Sequence, residues 1–381
     1  MPPLIFSSII QIITLLALLT PLALPLIIVN PFASFHSFPR YPVRLPMELT
    51  GKTILITGIN GLIGRRAAEL AMQRGMKVRG LDITSVQLDA EVVTGSVTDP
   101  IAAEKACRDA DIVLHTAAIV WEEGDMNKFL HVNVGGTINM AKTAKDAGVR
   151  CFVNLSSVMV YGYTYPDHVT EDGPFYQGNN PYCKTKLEAE RQVMALNSPP
   201  RFGVINIRPS DVYGPRSLVW VVRPLHTMQQ RKFFLIDGGR NVMNHLYVDN
   251  LIDAIFLAIE QEAYGETFNI TDGYETTWRE YATRLAQIGR LPHSLPSLPS
   301  FLIKSLIKLK LVDGSITPAL INTMTRPHAY SIEKARIQLG YQPKISLDEG
   351  MQRTAEWLQT ENIFTPTWSS KLKNFSHLVS K

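Results

Sequence analysis

The sequence predicts an α/β protein with a doubly wound parallel sheet. Three observations support this class. From residue 51 onward, short apolar, β-branched segments alternate with longer segments of helical periodicity. The first short segment runs through a series of glycines into a helix. Small and polar residues follow several of the apolar segments, where the carboxyl ends of parallel strands would meet at one edge of the sheet.

The composition is typical of a globular protein with a sizeable core, since 45% of the 381 residues are hydrophobic and 19% are charged. The net charge of +4 gives no reason to expect a nucleic-acid partner. The three cysteines lack the paired spacing of a disulfide framework or a zinc site, so we expect no metal.

The first predicted strand and the turn after it form the clearest motif. Thr53–Thr57 is apolar and β-branched, Gly58, Gly61 and Gly64 follow it, and 65–73 has an apolar helical stripe. Free backbone N–H groups and the positive end of a helix dipole then meet at one point, which suits a pyrophosphate. The glycines allow the tight turn, the approach of the backbone to the phosphates and the close packing of the helix.

The second predicted strand, 77–81, ends at Asp82. A carboxylate at this point accepts hydrogen bonds from ribose hydroxyls and repels a 2′-phosphate, which favours NAD over NADP. Arg65, Arg66 and Arg79 lie close by in sequence and leave NADP open as an alternative. Asp82 as a solvated turn residue is the other interpretation.

The remaining elements continue the alternation until about residue 214, after which the pattern is less regular. The further predicted strands are 91–95, 111–115, Cys151–Leu155 and 203–207. The further predicted helices are 100–108, 129–147, 180–196, 247–260, 276–288, 331–339 and 347–358. The apolar, basic stretch 301–310 predicts a domain helix with lysines at its edge or, alternatively, a helix lying on a membrane surface.

The N-terminal residues differ from the rest, because no charged side chain precedes Arg40. Residues 4–29 form an apolar run longer than the about 20 residues that span a bilayer. Arg40 and Arg44 follow it, and the positive-inside tendency then places the main domain in the cytoplasm. We therefore predict a membrane anchor over 1–29 and a linker over 30–50.

Two other interpretations of this segment remain open. Met47 stands directly before the first strand, and translation from it would give a cytoplasmic protein without the apolar run. A cleaved targeting segment is the second, although the run lacks the basic start and short apolar region of a signal peptide.

Tyr182 and Lys186 are candidate catalytic residues, because side chains four positions apart share one face of a helix. A phenol has an ordinary pKa of about 10, and a neighbouring ammonium favours its ionised form. Tyr182 would then take a proton from an alcohol while hydride leaves the same carbon for a nicotinamide. An exposed helix pair without chemical function is the other interpretation of this common spacing.

Three further matches favour the chemical interpretation. Ser157 follows the fifth strand, where its hydroxyl would bind the substrate oxygen, although a serine there is also a common helix or turn cap. The small residues Thr116, Ala117 and Ala118 follow the fourth strand and let a dinucleotide lie against the backbone. Pro209 and Ser210 follow the sixth strand and would border the nicotinamide.

In combination, these motifs resemble the extended short-chain dehydrogenase/reductases, the epimerase/dehydratase superfamily, over about residues 51–358. The matching segments are 57–64, Asp82, 115–118, 133–137, 156–157 with 160–162, 182–186 and 208–215. The resemblance implies a Rossmann domain over 51–215, completed by parts of 216–275, and a mainly substrate-binding domain over 216–362. It also implies a homodimer. The remaining residues, 363–381, form a basic tail by their composition.

The resemblance further implies that Ser157, Tyr182 and Lys186 act as a catalytic triad, and that Ser96 and Val97 flank the adenine. The family often has Asp where Ser96 stands. The complete predicted NAD site is Gly58, Asn60, Gly61, Leu62, Ile63, Gly64, Asp82, Ser96, Val97, Thr116, Ala117, Ala118, Tyr182, Lys186, Pro209 and Ser210.

The branch of the family decides the substrate. Nucleotide-sugar enzymes often carry an arginine that clamps the diphosphate, and Met243 aligns with that position here, which leaves Arg216 and Arg240 as substitutes. Residues 247–250, 268–273 and 301–311 are more similar to the 3β-hydroxysteroid and sterol dehydrogenase branch. The expected small-molecule substrate is a secondary alcohol on a sterol-like, isoprenoid-like or other hydrophobic molecule. A nucleotide-sugar epimerase or dehydratase with tightly bound NAD, and a non-catalytic NAD-binding scaffold, are the alternatives.

Overall fold

The computed structural model describes residues 46–120, 124–309 and 316–361. A central sheet of seven parallel strands forms the body of the protein, with an order that reverses between its fourth and fifth members. From one edge to the other, its strands are β11 (Thr267–Ile270), β6 (Gly203–Pro209), β5 (Cys151–Leu155), β4 (Ile112–His115), β1 (Thr53–Thr57), β2 (Lys77–Asp82) and β3 (Glu91–Thr94). Ligands of such sheets bind beyond the carboxyl ends of the strands, where the order reverses. The predicted Rossmann-type sheet is therefore confirmed.

Helices and short strand pairs surround this sheet. The helices are α1 (Leu62–Gln73), α2 (Pro100–Cys107), α3 (Met126–Phe129), α4 (Thr137–Asp146), α5 (Pro181–Met194), α6 (Arg223–Gln229), α7 (Val248–Glu260), α8 (Trp278–Ile288), α9 (Ser300–Lys308), α10 (Pro318–Met324), α11 (Glu333–Leu339) and α12 (Leu347–Thr360). Two π-helical segments, Leu130–Gly136 and Leu218–Val222, and two 3₁₀ turns, Val158–Tyr161 and Asp237–Gly239, complete the helical structure of the described residues. Three strand pairs lie outside the main sheet: β7 (Asp211–Tyr213) with β10 (His245–Tyr247), β9 (Val242–Met243) with β12 (Thr276–Thr277), and β8 (Leu235–Ile236) with β13 (Ser297–Leu298).

The central strands are apolar at successive positions because helices cover both faces of the sheet. Side chains alternate between faces along a strand. On one face, Ile54 and Ile56 of β1 belong to a core that also contains the alanines of α1 and the apolar side of α7. On the other face, Leu55 packs with residues of α2, α4 and the end of α5. Each fully buried aliphatic side chain contributes about 1.5–3 kcal/mol to the free energy of folding. Burial on both faces therefore stabilises the sheet.

Capping side chains decide where several helices begin. Asn180 accepts a hydrogen bond from the Cys183 N–H at 3.0 Å, so α5 begins one residue after the predicted start. Thr277 and Glu280 form a reciprocal capping box, so the helix predicted to open at Thr276 or Thr277 has Thr277 as its N-cap and begins at Trp278. The predicted helix 129–147 was wrong at its start and in its regularity, since a helical run begins at α3 and passes through the π-helical Leu130–Gly136 before α4.

The predicted membrane anchor over residues 4–29, which includes the apolar N-terminal helix, and the basic tail over 363–381 lie outside the described residues. Within the three described ranges, no helix is both long enough and apolar enough to cross a membrane. At the end of the predicted linker, the Met47 N–H donates to the carbonyl of Glu260 at 2.7 Å, and Leu49 is buried in the core.

Candidate active site

The carboxyl ends of β1 and β4 lie side by side and are joined by a buried histidine. Thr57 and His115 occupy paired positions in the sheet. The His115 ring lies 2.9 Å from the Thr57 hydroxyl and 3.0 Å from that of Thr137. Burial, with a smaller effect from the charge of Lys186, lowers the pKa of His115 to about 3, so the ring is neutral. The neutral His115 ring therefore connects the end of β1 to the start of α4 through two hydrogen bonds.

The glycine turn fits the backbone of its neighbours so closely that side chains are excluded. Gly58 has a φ of +66°, and a Cβ there would lie 3.0 Å from backbone atoms of Ala117. A Cβ on Gly64 would lie 2.3 Å from the carbonyl oxygen of Gly58. The Thr116 hydroxyl donates to the Thr57 carbonyl at 2.7 Å, which holds the residues after β4 against the same turn. The structure thus brings the predicted glycines and the residues 116–118 together.

The start of α1 offers the unsatisfied donors that an anion needs. Gly61 occupies the N-cap position and provides no side-chain cap, so Leu62 and Ile63 begin the helix without a side-chain acceptor at its end. The first-turn N–H groups and the helix dipole then favour a negatively charged group at this point. This arrangement fits the pyrophosphate of a dinucleotide.

Asp82 lies at the end of β2, and its carboxylate is hydrogen-bonded to the glycine turn. One of its oxygens accepts from the Asn60 N–H at 3.0 Å, and the other accepts from the N–H of Thr84 at 3.0 Å and its hydroxyl at 2.8 Å. Each carboxylate oxygen can accept more than one hydrogen bond, so ribose binding and this structural role are compatible. The second role was not predicted from the sequence.

Ser96 and Val97 follow β3, beside the end of β2. The Ser96 hydroxyl accepts from the Thr98 N–H at 3.1 Å, and Val97 is buried, with its carbonyl bound to Asn139 of α4 at 2.8 Å. Gly95 donates to the Asp82 carbonyl at 2.8 Å. The predicted adenine-flanking residues therefore lie next to the predicted ribose acceptor.

Pro209 and Ser210 lie where β6 ends. Ser210 donates its N–H to the Ile270 carbonyl at 3.1 Å, and its side-chain hydroxyl is buried without a hydrogen-bond partner among the described residues. Buried hydroxyls are nearly always hydrogen-bonded. An orphaned hydroxyl at this strand end fits a site that is completed by a bound polar group such as a nicotinamide.

Lys186 extends from α5 to the end of β5. Its ammonium donates to the Leu155 carbonyl at 2.7 Å, two residues before Ser157. Only 7% of Lys186 is exposed, and burial lowers its pKa to about 8 while Glu190 opposes this change. Tyr182 is half-buried on the first turn of the same helix, two residues after the Asn180 cap. Lys186 is therefore fixed at the carboxyl end of β5, and Tyr182 lies one turn earlier on the same helix.

Ser157 is buried directly after β5, and its hydroxyl accepts from the Met159 N–H at 3.1 Å. It caps the 3₁₀ turn Val158–Tyr161, so the capping role considered from the sequence is present. An accepting hydroxyl oxygen keeps its own hydrogen to donate, so the cap orients Ser157 without using up its donor.

The contacts of two further residues were not predicted from the sequence, although Asn133 belongs to the matching segment 133–137. Asn133, in the π-helical segment, exchanges hydrogen bonds with the backbone of Ile119 at 2.8 and 3.0 Å and donates to the Thr185 hydroxyl on α5 at 3.3 Å. It ties the segment after β4 to the helix that carries Tyr182. Glu190, four residues after Lys186, binds Ser156 and Arg208 in the interior. Its spacing from Lys186 was the available signal.

The Asp82 carboxylate predicts a preference for NAD. We expect the protein to bind NADH more tightly than NADPH by at least about tenfold, equal to about 1.4 kcal/mol, because a 2′-phosphate would lie against the carboxylate. The Asp82→Asn variant should narrow this ratio, and Asp89→Asn, an exposed aspartate in the same loop, should not. Fluorescence titration with both cofactors measures the ratio, and equal affinities in the unmodified protein would remove the assigned role.

Comparisons with known proteins agree with this geometry. The model of the NAD dependent epimerase/dehydratase family matches residues 54–271, which is more than half of the chain. The chain is 26% identical to a 4-hydroxy-2-methyl-3-oxo-4-farnesyl-3,4-dihydroquinoline-1-oxide ketoreductase of Stigmatella aurantiaca, over 78% of this chain and 93% of the relative. It is 26% identical to the human decarboxylating sterol-4-alpha-carboxylate 3-dehydrogenase, over 80% of this chain and 88% of the relative.

A solved structure gives the same architecture. A short-chain dehydrogenase/reductase superfamily protein from Agrobacterium tumefaciens, determined with bound NAD, superimposes with a TM-score of 0.64 at 25% identity. The match covers 82% of this chain and 98% of that protein. The glycine turn, the uncapped start of α1 and the orphaned Ser210 hydroxyl are the local features that suit the same cofactor. The chain therefore belongs to the NAD-dependent epimerase/dehydratase family of extended short-chain dehydrogenases/reductases, and it is an enzyme whose cofactor is NAD.

Proposed function

We propose that the enzyme transfers hydride between a secondary alcohol carbon of a hydrophobic molecule and NAD. The observation that carries the proposal is the arrangement of α5. This helix holds Tyr182 and Lys186 on one face, with the Lys186 ammonium fixed 2.7 Å from the Leu155 carbonyl at the end of β5. Ser157 follows Leu155 by two residues, and we expect its hydroxyl, the Lys186 ammonium and the Tyr182 phenol to meet beyond this strand end.

Each of these residues has a distinct role in the proposed reaction. NAD, when bound, supplies the hydride acceptor. Tyr182 as phenolate takes the hydroxyl proton of the alcohol, Ser157 donates a hydrogen bond to the same oxygen, and the carbon becomes a ketone as its hydride leaves. The Lys186 ammonium stabilises the phenolate by its charge. In the reverse direction, Tyr182 returns the proton to the ketone oxygen.

An aromatic cavity beside α5 supports a hydrophobic substrate. The cavity has a volume of about 260 Å³, and its walls combine the aromatic Tyr161, Tyr163, Phe175 and Tyr176 with Pro174 and the polar Thr164, Gln177 and Asn322. The hydroxyls of Tyr163 and Tyr176 each accept a hydrogen bond from Asn180, at 3.1 Å, and Asn180 caps the helix that carries Tyr182. Aromatic walls at this position suit a ring system or an isoprenoid chain.

The position that aligns with the diphosphate-binding arginine carries no cation, and Arg240, one of its two possible substitutes, is bound to its own loop; Arg216, the other, is exposed. Met243 is fully buried in the β9–β12 pair, and its thioether carries no charge. Arg240 is exposed and donates to the Asp237 carbonyl at 3.2 Å. Arg326 is fully buried and binds Asp211 at 2.5 Å, so it belongs to the core. This arrangement favours a hydrophobic alcohol over a nucleotide sugar.

The names of the relatives point the same way. One relative is named for reducing a farnesyl-bearing quinoline oxide, and the other for acting on a sterol carboxylate. Both substrates combine an oxygen-bearing carbon with a large apolar body. At 26% identity these names support a substrate class and do not identify a compound.

A substrate screen tests this proposal. Purified enzyme with NAD⁺ should form NADH with sterol-like or isoprenoid secondary alcohols and should leave nucleotide sugars unchanged. Arg216→Ala provides a matched control, because removal of this exposed arginine should lower turnover only if a diphosphate is the true substrate group. Epimerisation of a nucleotide sugar that depends on Arg216, with no oxidation of any hydrophobic alcohol, would contradict the proposal.

A further inference from the structure

We infer that Glu190 is a positioning residue that keeps Lys186 charged and locks α5 to the ends of β5 and β6. The effect of Glu190 on turnover rests on the proposed function, whereas its effect on the charge of Lys186 does not. Glu190 lies on the same helix face as Tyr182 and Lys186, at intervals of four residues.

The first contact of Glu190 is with the strand that leads to Ser157. Ser156 donates its hydroxyl to Glu190 at 2.7 Å, and the preceding residue, Leu155, accepts from Lys186 at 2.7 Å. Two consecutive residues of the chain are thus bound to two consecutive turns of α5. A shift of α5 along β5 would break both hydrogen bonds, so this pair fixes Tyr182 relative to Ser157.

The second contact is with the strand that leads to Ser210. Arg208 donates from its Nε to both Glu190 oxygens at 3.1 Å, and its Nη2 also binds the carboxylate. Arg208 directly precedes Pro209 and Ser210, the predicted border of the nicotinamide. Glu190 and Arg208 are both buried, so their charges are compensated mainly by each other. The carboxylate therefore joins three elements that carry site residues.

Glu190 also affects Lys186 through its charge. Burial lowers the pKa of Lys186 to about 8, and the carboxylate of Glu190 acts against this loss of charge. Neither His115 nor Arg208 supplies the negative charge that the Lys186 ammonium needs, because His115 on β4 is neutral and Arg208 on β6 is positive. Further out, Tyr161 binds Arg208 through its hydroxyl and Glu171 binds it through a backbone carbonyl. Without Glu190, the uncompensated Arg208 would repel the ammonium.

The decisive experiment measures the titration of Lys186 without substrate or cofactor. The signal of ¹³C-labelled Lys186, assigned by its loss in Lys186→Arg, is followed against pH by NMR. In Glu190→Gln, which keeps the size of the side chain and an acceptor for Ser156, the midpoint should fall by about one pH unit or more. Glu188→Gln, the same change at a residue that accepts from Gln192, is the matched control and should leave it unchanged.

Variants of Arg208 separate a charge effect from a loss of structure. Arg208→Gln should raise the Lys186 midpoint, because a positive charge is removed, and Glu190→Gln/Arg208→Gln should lie close to the unmodified protein. A general loosening of the fold would shift the Lys186 midpoint in the same direction in both single variants. Shifts in opposite directions therefore indicate a charge effect. If Glu190→Gln does not fold, the single Arg208 variant and the double variant still decide the question. Equal midpoints in all folded variants would overturn the inference.

Turnover provides the second readout. With an oxidisable alcohol, the alkaline limb of the kcat profile should move to lower pH in Glu190→Gln, with a loss of about fivefold or more at pH 8 that recovers as the pH falls. A pH-independent loss would indicate a purely structural role and would contradict the charge effect. If no alcohol is oxidised by the unmodified enzyme, the proposed function fails, while the Lys186 midpoints still test Glu190.

Discussion

Replacing Tyr182 by phenylalanine should lower kcat at least about 100-fold, because general acid–base catalysis by a positioned side chain contributes about 10²–10⁴. NADH affinity should remain close to that of the unmodified enzyme, since Lys186, Asp82 and the glycine turn are untouched. Steady-state kinetics with an oxidisable alcohol and fluorescence titration with NADH measure the two quantities. We therefore expect Tyr182→Phe to lose turnover while it keeps its affinity for NADH.

Tyr274→Phe is the matched control for this experiment. Tyr274 is 62% exposed, so removal of its hydroxyl makes the same chemical change on the surface. Its kcat should equal that of the unmodified enzyme. Full activity of Tyr182→Phe would remove the proton-transfer role from this residue. An equal loss in both variants would show that the assay does not report on the site.

The Gly64→Ala variant should lose both NADH affinity and stability. The added Cβ would lie 2.3 Å from the Gly58 carbonyl oxygen and 2.9 Å from two further backbone atoms of the same turn, which cannot rotate away. Overpacking of this kind costs about 1–3 kcal/mol, and the displaced turn no longer presents its N–H groups correctly. We expect NADH affinity to fall at least about tenfold, equal to about 1.4 kcal/mol.

Gly135→Ala controls for the general effect of an added methyl group. A Cβ at Gly135 would meet its nearest neighbour, the Leu130 carbonyl oxygen, at an ordinary 3.7 Å. Alanine is also favoured over glycine within helical structure. Its free energy of unfolding in urea should therefore be unchanged or higher. Unaltered NADH binding by a folded Gly64→Ala protein would contradict the assigned pyrophosphate site.

The sequence was sufficient for the elements that depend on local pattern. β1 and β5 have the predicted bounds because each is a short apolar run that is buried on both faces. The short strands β8, β9, β12 and β13 were not predicted, because two residues carry no detectable period. They exist only through pairing with segments that are distant in sequence.

Some features of the candidate site could likewise be predicted from the sequence, and others could not. The glycine turn is visible in the sequence because its chemistry requires glycine at fixed spacing. The hydrogen bond from Asn60 to Asp82 and the contact of Ser156 with Glu190 were not, because each joins residues from different elements. The catalytic roles of Ser157, Tyr182 and Lys186 stay predictions that rest on the placement described above.

A crystal structure of the enzyme with NAD⁺ tests the central claim most directly. We predict the pyrophosphate at the start of α1, the nicotinamide beside Ser210, and a ribose hydroxyl about 2.7–3.2 Å from the Lys186 ammonium. The phenol of Tyr182 should face the side of the nicotinamide ring that is open to substrate. A dinucleotide whose nicotinamide lies away from Tyr182 and Lys186, with no path for an alcohol between them, would contradict it.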